Sequence, residues 1–208
     1  MGSVSGIGVL DKAVSLLDAL EPGSLTLAGL VDATGLSRAT AHRLAVALEV
    51  HGLIRRDAAG RFGLGPRLTG LDLAARAQPA LEALRDQTGE SAQLYVRRGD
   101  RRVCLASLES PHGLRTIVAV GASLPLSVGS AGKVLRGDPD AGRRGWAESV
   151  EERERGVASV SAPVLGPGGE VVAAVSVSGP VERTTRQPGR RYATAVLAAA
   201  RAVEAAPG

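Results

Sequence analysis

The chain has 208 residues, 44% of them hydrophobic, and a formal charge of +4, enough for two small domains and suited to a polyanionic partner. Its single cysteine, Cys104, excludes an internal disulfide and a cysteine-based metal cluster, and the three scattered histidines (42, 51, 112) offer no metal site. No basic-then-apolar leader opens MGSVSGIGVLDKA and no apolar run approaches about 18 residues, so a cytoplasmic protein without membrane contact, metal or cofactor is expected.

Residues 1–8 are rich in Gly and Ser and read as loose. Leu10, Ala13, Leu17 and Leu20 keep helical spacing over Val9 to Leu20, and Glu21-Pro22-Gly23 stops that helix. Leu27, Leu30 and Val31 mark a second helix, broken at Thr34-Gly35, and Ser37 caps a third that runs to about His51. Two helices across a tight Gly turn form a helix-turn-helix. On the third helix Ala41, Leu44 and Leu48 make the expected buried stripe, which leaves Arg38, Ala39, His42, Arg43 and Val46 on the side a recognition helix turns to the major groove. Leu53-Ile54 and Arg61 to Leu64 alternate as two strands around the turn Asp57 to Gly60, a β-hairpin wing.

Charge sorts the same way. Residues 37–67 hold six Arg (38, 43, 55, 56, 61, 67) against Glu49 and Asp57, whereas residues 1–36 hold Lys12 against Asp11, Asp18, Glu21 and Asp32. The candidate DNA contacts are Ser37, Arg38, Thr40, His42 and Arg43 on the helix and Arg55, Arg56 and Arg61 on the wing. Nearly every cation in the chain is Arg, which with the Ala, Gly and Val richness looks like a GC-rich coding bias and weakens any single Arg as a signal. A domain of about 65 residues covers little more than one half-site, so a dimer on a two-fold-related double-stranded operator is expected.

Gly65-Pro66 closes the wing. Leu68, Leu71 and Ala75 suggest a connecting helix, and Pro79 a restart carried by Leu81, Leu84 and Arg85 to Thr88-Gly89. From Glu90 the rhythm alternates. Ala92 to Val96 and Arg102 to Leu108 form a hairpin around Arg97 to Asp100, a third strand spans Thr116 to Val120, and Gly129 to Leu135 reads as a loop entering a helix. Residues 136–145 read as a polar loop, Val157 to Val164 and Val171 to Ser178 as a second hairpin around Gly166 to Gly169, and Tyr192 to Ala205 as a closing helix. The fold class expected is α+β, an antiparallel sheet with helices on one side. The domains expected are 1–67 for DNA binding, 68–89 as helical linker, and 90–208.

Catalytic motifs fail on inspection. A phosphate loop at GSAGK needs Gly at 127 and Ser or Thr at 134 but meets Ser127 and Val134, and G-x-S-x-G meets Val128 in place of its first Gly. The sheet domain has one histidine, His112, with no nucleophile pattern beside it, so no catalytic residue is assigned. The acidic run Glu148, Glu151, Glu152, Glu154, interleaved with Arg153 and Arg155, reads as a solvated surface. Ser176 and Ser178 alternate with Val175 and Val177, so both hydroxyls face one side, either water or a polar pocket.

Taken together, GLSRATAHRLAVALEVHGLIRR with GRFGLGPRL, then GASLPLSVGSAGKVL, RRGWAESVEERERGVASVSAPV and VVAAVSVSGP, resemble the isocitrate-lyase-regulator (IclR) type of bacterial transcription factor over nearly the whole chain. The resemblance implies a winged helix-turn-helix followed by a GAF-like antiparallel-sheet effector domain, assembled as a homodimer or a dimer of dimers. It implies a small-molecule carboxylate effector touching Ser130 and Ala131 in GSAGK, Ser149 in AESVEE, Ser159 in GVASVSAP, and Ser176 and Ser178 in SVSGP. SGIGVLDKA and TGESAQLYVRRGDRRVC look closest to the amino-acid-responsive actinobacterial branch, whose typical targets are leucine-biosynthesis and nitrogen-dependent growth genes. One departure stands out: relatives carry a helical excursion before RRGW where this chain spans the gap in about ten residues, shortened around 136–143. That leaves a ligand-insensitive regulator as an alternative, and a metabolite-processing enzyme with a DNA-binding head as a weaker one.

Overall fold

The computed structural model describes residues 5–166 and 168–206, so residues 1–4 of the loose start and Pro167 of the Gly166 to Gly169 turn lie outside the described residues. The chain divides into two compact units, one reaching Leu71 and the other beginning at Asp72.

In the first unit α1 (Gly8–Leu20), α2 (Leu27–Thr34) and α3 (Arg38–Val50) are followed by the hairpin β1 (Ile54–Arg56) and β2 (Phe62–Leu64). Thr26 caps α2 by accepting the Gly29 N–H, Gly35 ends it in the left-handed region (φ 67°), and Ser37 caps α3 by accepting the Thr40 N–H. Leu16, Leu20, Leu30, Ala41, Ala45, Leu48, Ile54 and Phe62 form the core. The buried stripe of α3 therefore runs through Ala41, Ala45 and Leu48, correcting the expectation of Leu44, which is only half-buried. Steps of four and three residues keep those side chains on one line, and Ala45 lets α3 approach its neighbours closely. Asp57 closes the wing turn, its Oδ1 accepting the N–H groups of Ala59 and Arg61.

The next helix, α4 (Pro66–Thr88), is continuous, so the expected restart at Pro79 does not occur. An interior proline forfeits one backbone hydrogen bond, at a cost of about 3 kcal/mol. Burial of Leu81 and Leu84 to 0% and 1% exposure returns about 1.5–3 kcal/mol each, which is enough to hold the helix through it.

The second unit is built on a six-stranded antiparallel sheet in the order β5-β4-β3-β8-β7-β6, with β3 (Ser91–Arg98), β4 (Arg101–Leu108), β5 (Ser123–Pro125), β6 (Ala147–Val150), β7 (Val157–Leu165) and β8 (Val171–Pro180). One face carries Ala92, Leu94, Val160, Ala162, Val175 and Val177 and packs on Leu81 and Leu84 of α4 and on Tyr192, Val196 and Val203 of the last helix, α8 (Pro188–Ala205). The other face carries Tyr95, Cys104, Ala147 and Ala174 and packs on α5 (Ser130–Leu135) and on Ala141 of α6 (Pro139–Arg144). A short α7 (Val181–Thr184) links β8 to α8. The α+β architecture stands, but helices cover both faces rather than one.

Three local expectations also change. Residues 116–120 form no strand, with Val118 buried and Ile117 and Val120 exposed; the strand that pairs with β4 at this edge is β5 instead. The polar loop 136–145 holds α6, capped by Asp138, started by Pro139 and ended by Gly145 (φ 74°). The acidic stretch contains β6, paired with β7 from Ala147↔Ser161 to Val150↔Ala158. Among the described residues no helix is long and apolar enough to cross a membrane.

Candidate functional site

In the first unit Arg38, His42 and Arg43 are exposed on α3, and Arg55, Arg56 and Arg61 are exposed on the wing. The six are not equally available. Arg56 pairs with Glu49 at 3.5 Å and lies 4.5 Å from the centre of the Phe62 ring, and Arg61 Nε donates to Asp57 at 2.9 Å. Among the described residues Arg38, Arg43 and Arg55 form no ion pair, so they hold the uncommitted positive charge. Ser37 and Thr40 are bound to one another: Ser37 Oγ donates to Thr40 Oγ1 at 2.9 Å while it caps the helix. Arg43 and Thr40 also line a cleft with Val9 and Lys12 of α1, which adds a further cation beside the helix.

In the second unit Ser130, Ala131, Ser149, Ser159, Ser176 and Ser178 line one cavity, joined by Tyr95, Arg102, Gly129, Arg153 and Val157. Strand alternation explains the gathering. Register pairs Ser149 with Ser159, Ser161 with Ser176, and Ser159 with Ser178, so these hydroxyls rise on the face opposite the apolar core. Gly129 (φ 80°) turns the chain into α5, and a Cβ there would stand 3.1 Å from Arg102 Nη2.

The hydroxyls satisfy one another. Ser149 and Ser159 share a hydrogen bond of 3.1 Å, Ser159 and Ser130 one of 2.7 Å, Ser130 and Ser161 one of 2.7 Å, and Ser161 donates to Ser176 at 2.9 Å. Ser178 stands apart and donates to Gln93 Oε1 at 3.1 Å. What remains is about 20 Å³, room for roughly one water molecule.

Two arginines in the lining, Arg102 and Arg153, stand within the matching stretches but receive no site role from the sequence. Arg102 is 3% exposed; its Nη1 donates to the Val128 carbonyl at 2.7 Å and to that of Pro125, and its Nε is buried without a partner. Burial holds this guanidinium below its ordinary pKa, and Arg153 and Arg136 push the same way. The available signal is position: Arg102 stands two residues before buried Cys104, at an inward place on β4. In a chain this rich in Arg that signal is easily discounted.

The acidic run is structural rather than merely solvated. Glu152 accepts the Gly129 N–H at 3.0 Å and pairs with Lys133, Glu148 accepts the Gly189 N–H at 2.8 Å, and Glu151 accepts the Gly156 N–H at 2.9 Å and Arg186 at 3.0 Å. Neither titratable nucleophile near the cavity is activated. Burial pushes the Cys104 thiol up to about 11 and the Tyr95 phenol well above its ordinary value. The lining therefore offers hydroxyls and two guanidinium groups.

Known proteins match both units. The IclR helix-turn-helix domain model covers residues 9–58, and the model of the bacterial transcriptional regulator IclR C-terminal domain covers residues 66–137 and 139–205. A glycerol operon regulatory protein from Streptomyces griseus is 32% identical, over 93% of this chain and 94% of that protein. The crystal structure of an IclR-family transcriptional regulator from Rhodococcus sp. superposes with a TM-score of 0.63 at 27% identity, covering 99% of this chain and 96% of that one. An IclR homologue from Microbacterium hydrocarbonoxydans, complexed with 4-hydroxybenzoate, shares the fold with a TM-score of 0.58 at 20% identity, covering 94% and 97%. The chain belongs to the IclR family of DNA-binding bacterial transcriptional regulators.

Proposed function

We propose that the chain is a ligand-modulated, sequence-specific regulator in which residues 1–67 read DNA, residues 68–89 link, and the serine-lined cavity within residues 90–208 takes a small carboxylate effector. The observation that carries the effector reading is the convergence of Ser130, Ala131, Ser149, Ser159, Ser176 and Ser178 on one cavity that also holds two arginines. Support for an organic-acid ligand comes from the homologue crystallised with 4-hydroxybenzoate. A ligand that takes a hydrogen from Ser159 has to break or reverse the hydrogen bond between Ser159 and Ser130, and that rearrangement is the proposed source of differential affinity between two states. Arg38, Arg43 and Arg55 are the proposed DNA contacts, with Ser37 and Thr40 positioning the helix start, and a homodimer or dimer of dimers on a two-fold-related operator is the proposed assembly.

SGIGVLDKA and TGESAQLYVRRGDRRVC support placement in the amino-acid-responsive branch, with amino-acid metabolism genes as targets. Sequencing the genomic DNA fragments that the protein retains tests this, since neighbouring genes name the pathway. A second reading, a ligand-insensitive regulator with a shortened effector domain, is supported by the small volume of the cavity and by the one-residue break in the family match between 137 and 139. DNA titrations with and without a panel of metabolic carboxylates separate the two: the first reading expects a changed operator affinity with at least one of them, the second none.

A further inference from the structure

Resting on the effector reading, we propose that Arg102 is the charge partner of the bound molecule and that the cavity selects a compact anion over its neutral isostere. A guanidinium stays charged at any accessible pH, and a buried charge is costly unless paired. The chain's other deeply buried ionic contact shows how such a debt is met: Glu90, 2% exposed, is held bidentately by Arg183 Nε at 2.7 Å and Nη2 at 2.8 Å. On Arg102 the corresponding edge meets no carboxylate; the centre of the Tyr95 ring lies 5.5 Å from the guanidinium carbon, and Nε is buried. Nη1 is committed to the Pro125 and Val128 carbonyls, Nε has no partner, and Arg102 joins no carboxylate among the described residues. The charges around it are cations, Arg153 in the cavity lining and Arg136 nearby, while Glu152, which follows β6, is engaged with the Gly129 N–H and Lys133. An anion in this cavity supplies what the fold omits, and a carboxylate matches the two-donor edge in shape as well as charge.

The test uses the whole chain with acetate and acetamide, nearly equal in size and different in charge, at constant ionic strength set by chloride. Binding to the folded state raises Tm with ligand concentration. Acetate is expected to raise Tm in the parent protein, acetamide to leave it unchanged, and Arg102→Gln to lose the acetate response while Arg153→Gln keeps part of it. Equal effects of acetate and acetamide on the parent, or no effect of acetate, overturn the proposal without reference to any variant. An acetate response retained in Arg102→Gln overturns it as well. The effector reading fails separately: a charge-selective, Arg102-dependent rise in Tm with no metabolite altering operator affinity keeps the anion site and removes its regulatory role.

Discussion

Cys104 is fully buried in β4 and its thiol is pushed up to about 11, so almost none of it is thiolate near neutral pH. Ellman's reagent should therefore leave the native protein unlabelled and titrate one thiol after denaturation; rapid native labelling would place Cys104 at an accessible surface. Ser176 and Ser178 illustrate what alternation can and cannot deliver. It puts both hydroxyls on one face, but only their partners separate their roles. Ser178 serves Gln93, whose Nε2 already lacks a partner, so Ser178→Val strands the Gln93 carbonyl and should cost about 1–3 kcal/mol. Ser176→Ala keeps the fold and loses only one link of the hydroxyl chain. Urea denaturation of the two variants gives the comparison, and equal stabilities would contradict the separate roles. On α3, Arg38→Ala/Arg43→Ala should weaken operator binding, by about 1–3 kcal/mol for each side chain that reads a base and with a salt slope flattened by about one for each that meets phosphate. Unchanged affinity and slope by fluorescence anisotropy would move the interface off this face. The gathering of Ser130, Ser149, Ser159, Ser176 and Ser178 at one cavity was legible because motif and alternation agree on them; the place of Arg102 was not, because an inward Arg looks like any other until its surroundings are known.

At the scale of elements, signals that survive a local reading came through and signals that depend on a distant partner did not. The three first-unit helices carry their own periodicity and two of them, α2 and α3, their own caps, while the two long hairpins carry their own turns. By contrast β6 is four residues long and acidic, and its pairing with β7 is invisible without the register. Residues 116–120 have strand-like alternation but lie where no neighbouring strand offers a ladder. Pro79 misleads because tertiary burial outweighs its local cost. The Glu90–Arg183 contact is another long-range feature with a measurable consequence: Arg183→Ala leaves a buried carboxylate unpaired and should destabilise the protein by about 3–5 kcal/mol in chemical denaturation, whereas a loss below about 1 kcal/mol would show that water reaches Glu90. Three half-buried carboxyls set the acid limit of the loops. Asp57 is held below its ordinary value chiefly by the Arg61 N–H, Asp138 by the Ala141 N–H and Glu151 by the Gly156 N–H. A lowered folded-state pKa means that the stability they give is present above the ordinary values, 3.8 for Asp and 4.5 for Glu, and is lost as pH falls through the lower folded values. Protection factors for amide exchange at Arg61, Ala141 and Gly156, followed downward from pH 5, should fall there before those of the sheet do; a uniform fall would argue against local control.

For the whole molecule, the division of labour between a basic helix-turn-helix unit and a sheet unit follows from two different sequence rhythms, one of 3.6 residues and one of 2, that change over at Glu90. A single winged head contacts too little DNA for useful specificity, so the operator complex should contain two or four chains. Light scattering on the free protein and on its DNA complex measures this directly, and a monomer in both states would remove the proposal. The serine chain of the cavity carries one more consequence, which follows from counting hydrogens. Each hydroxyl owns a single hydrogen, and Ser161 spends its own on Ser176. Ser130 must then give its hydrogen to Ser161, Ser159 to Ser130, and Ser149 to Ser159, so the polarity of all five is fixed by one link. An anion that takes the hydrogen of Ser159 can keep the chain intact only if Ser130, Ser161 and Ser176 all turn round, whereas a hydrogen-donating neutral guest leaves the order as it stands. Whether the guest accepts or donates a hydrogen at Ser159 is thereby written into the middle of the sheet, at Ser176 on β8, by rotation of hydroxyls alone.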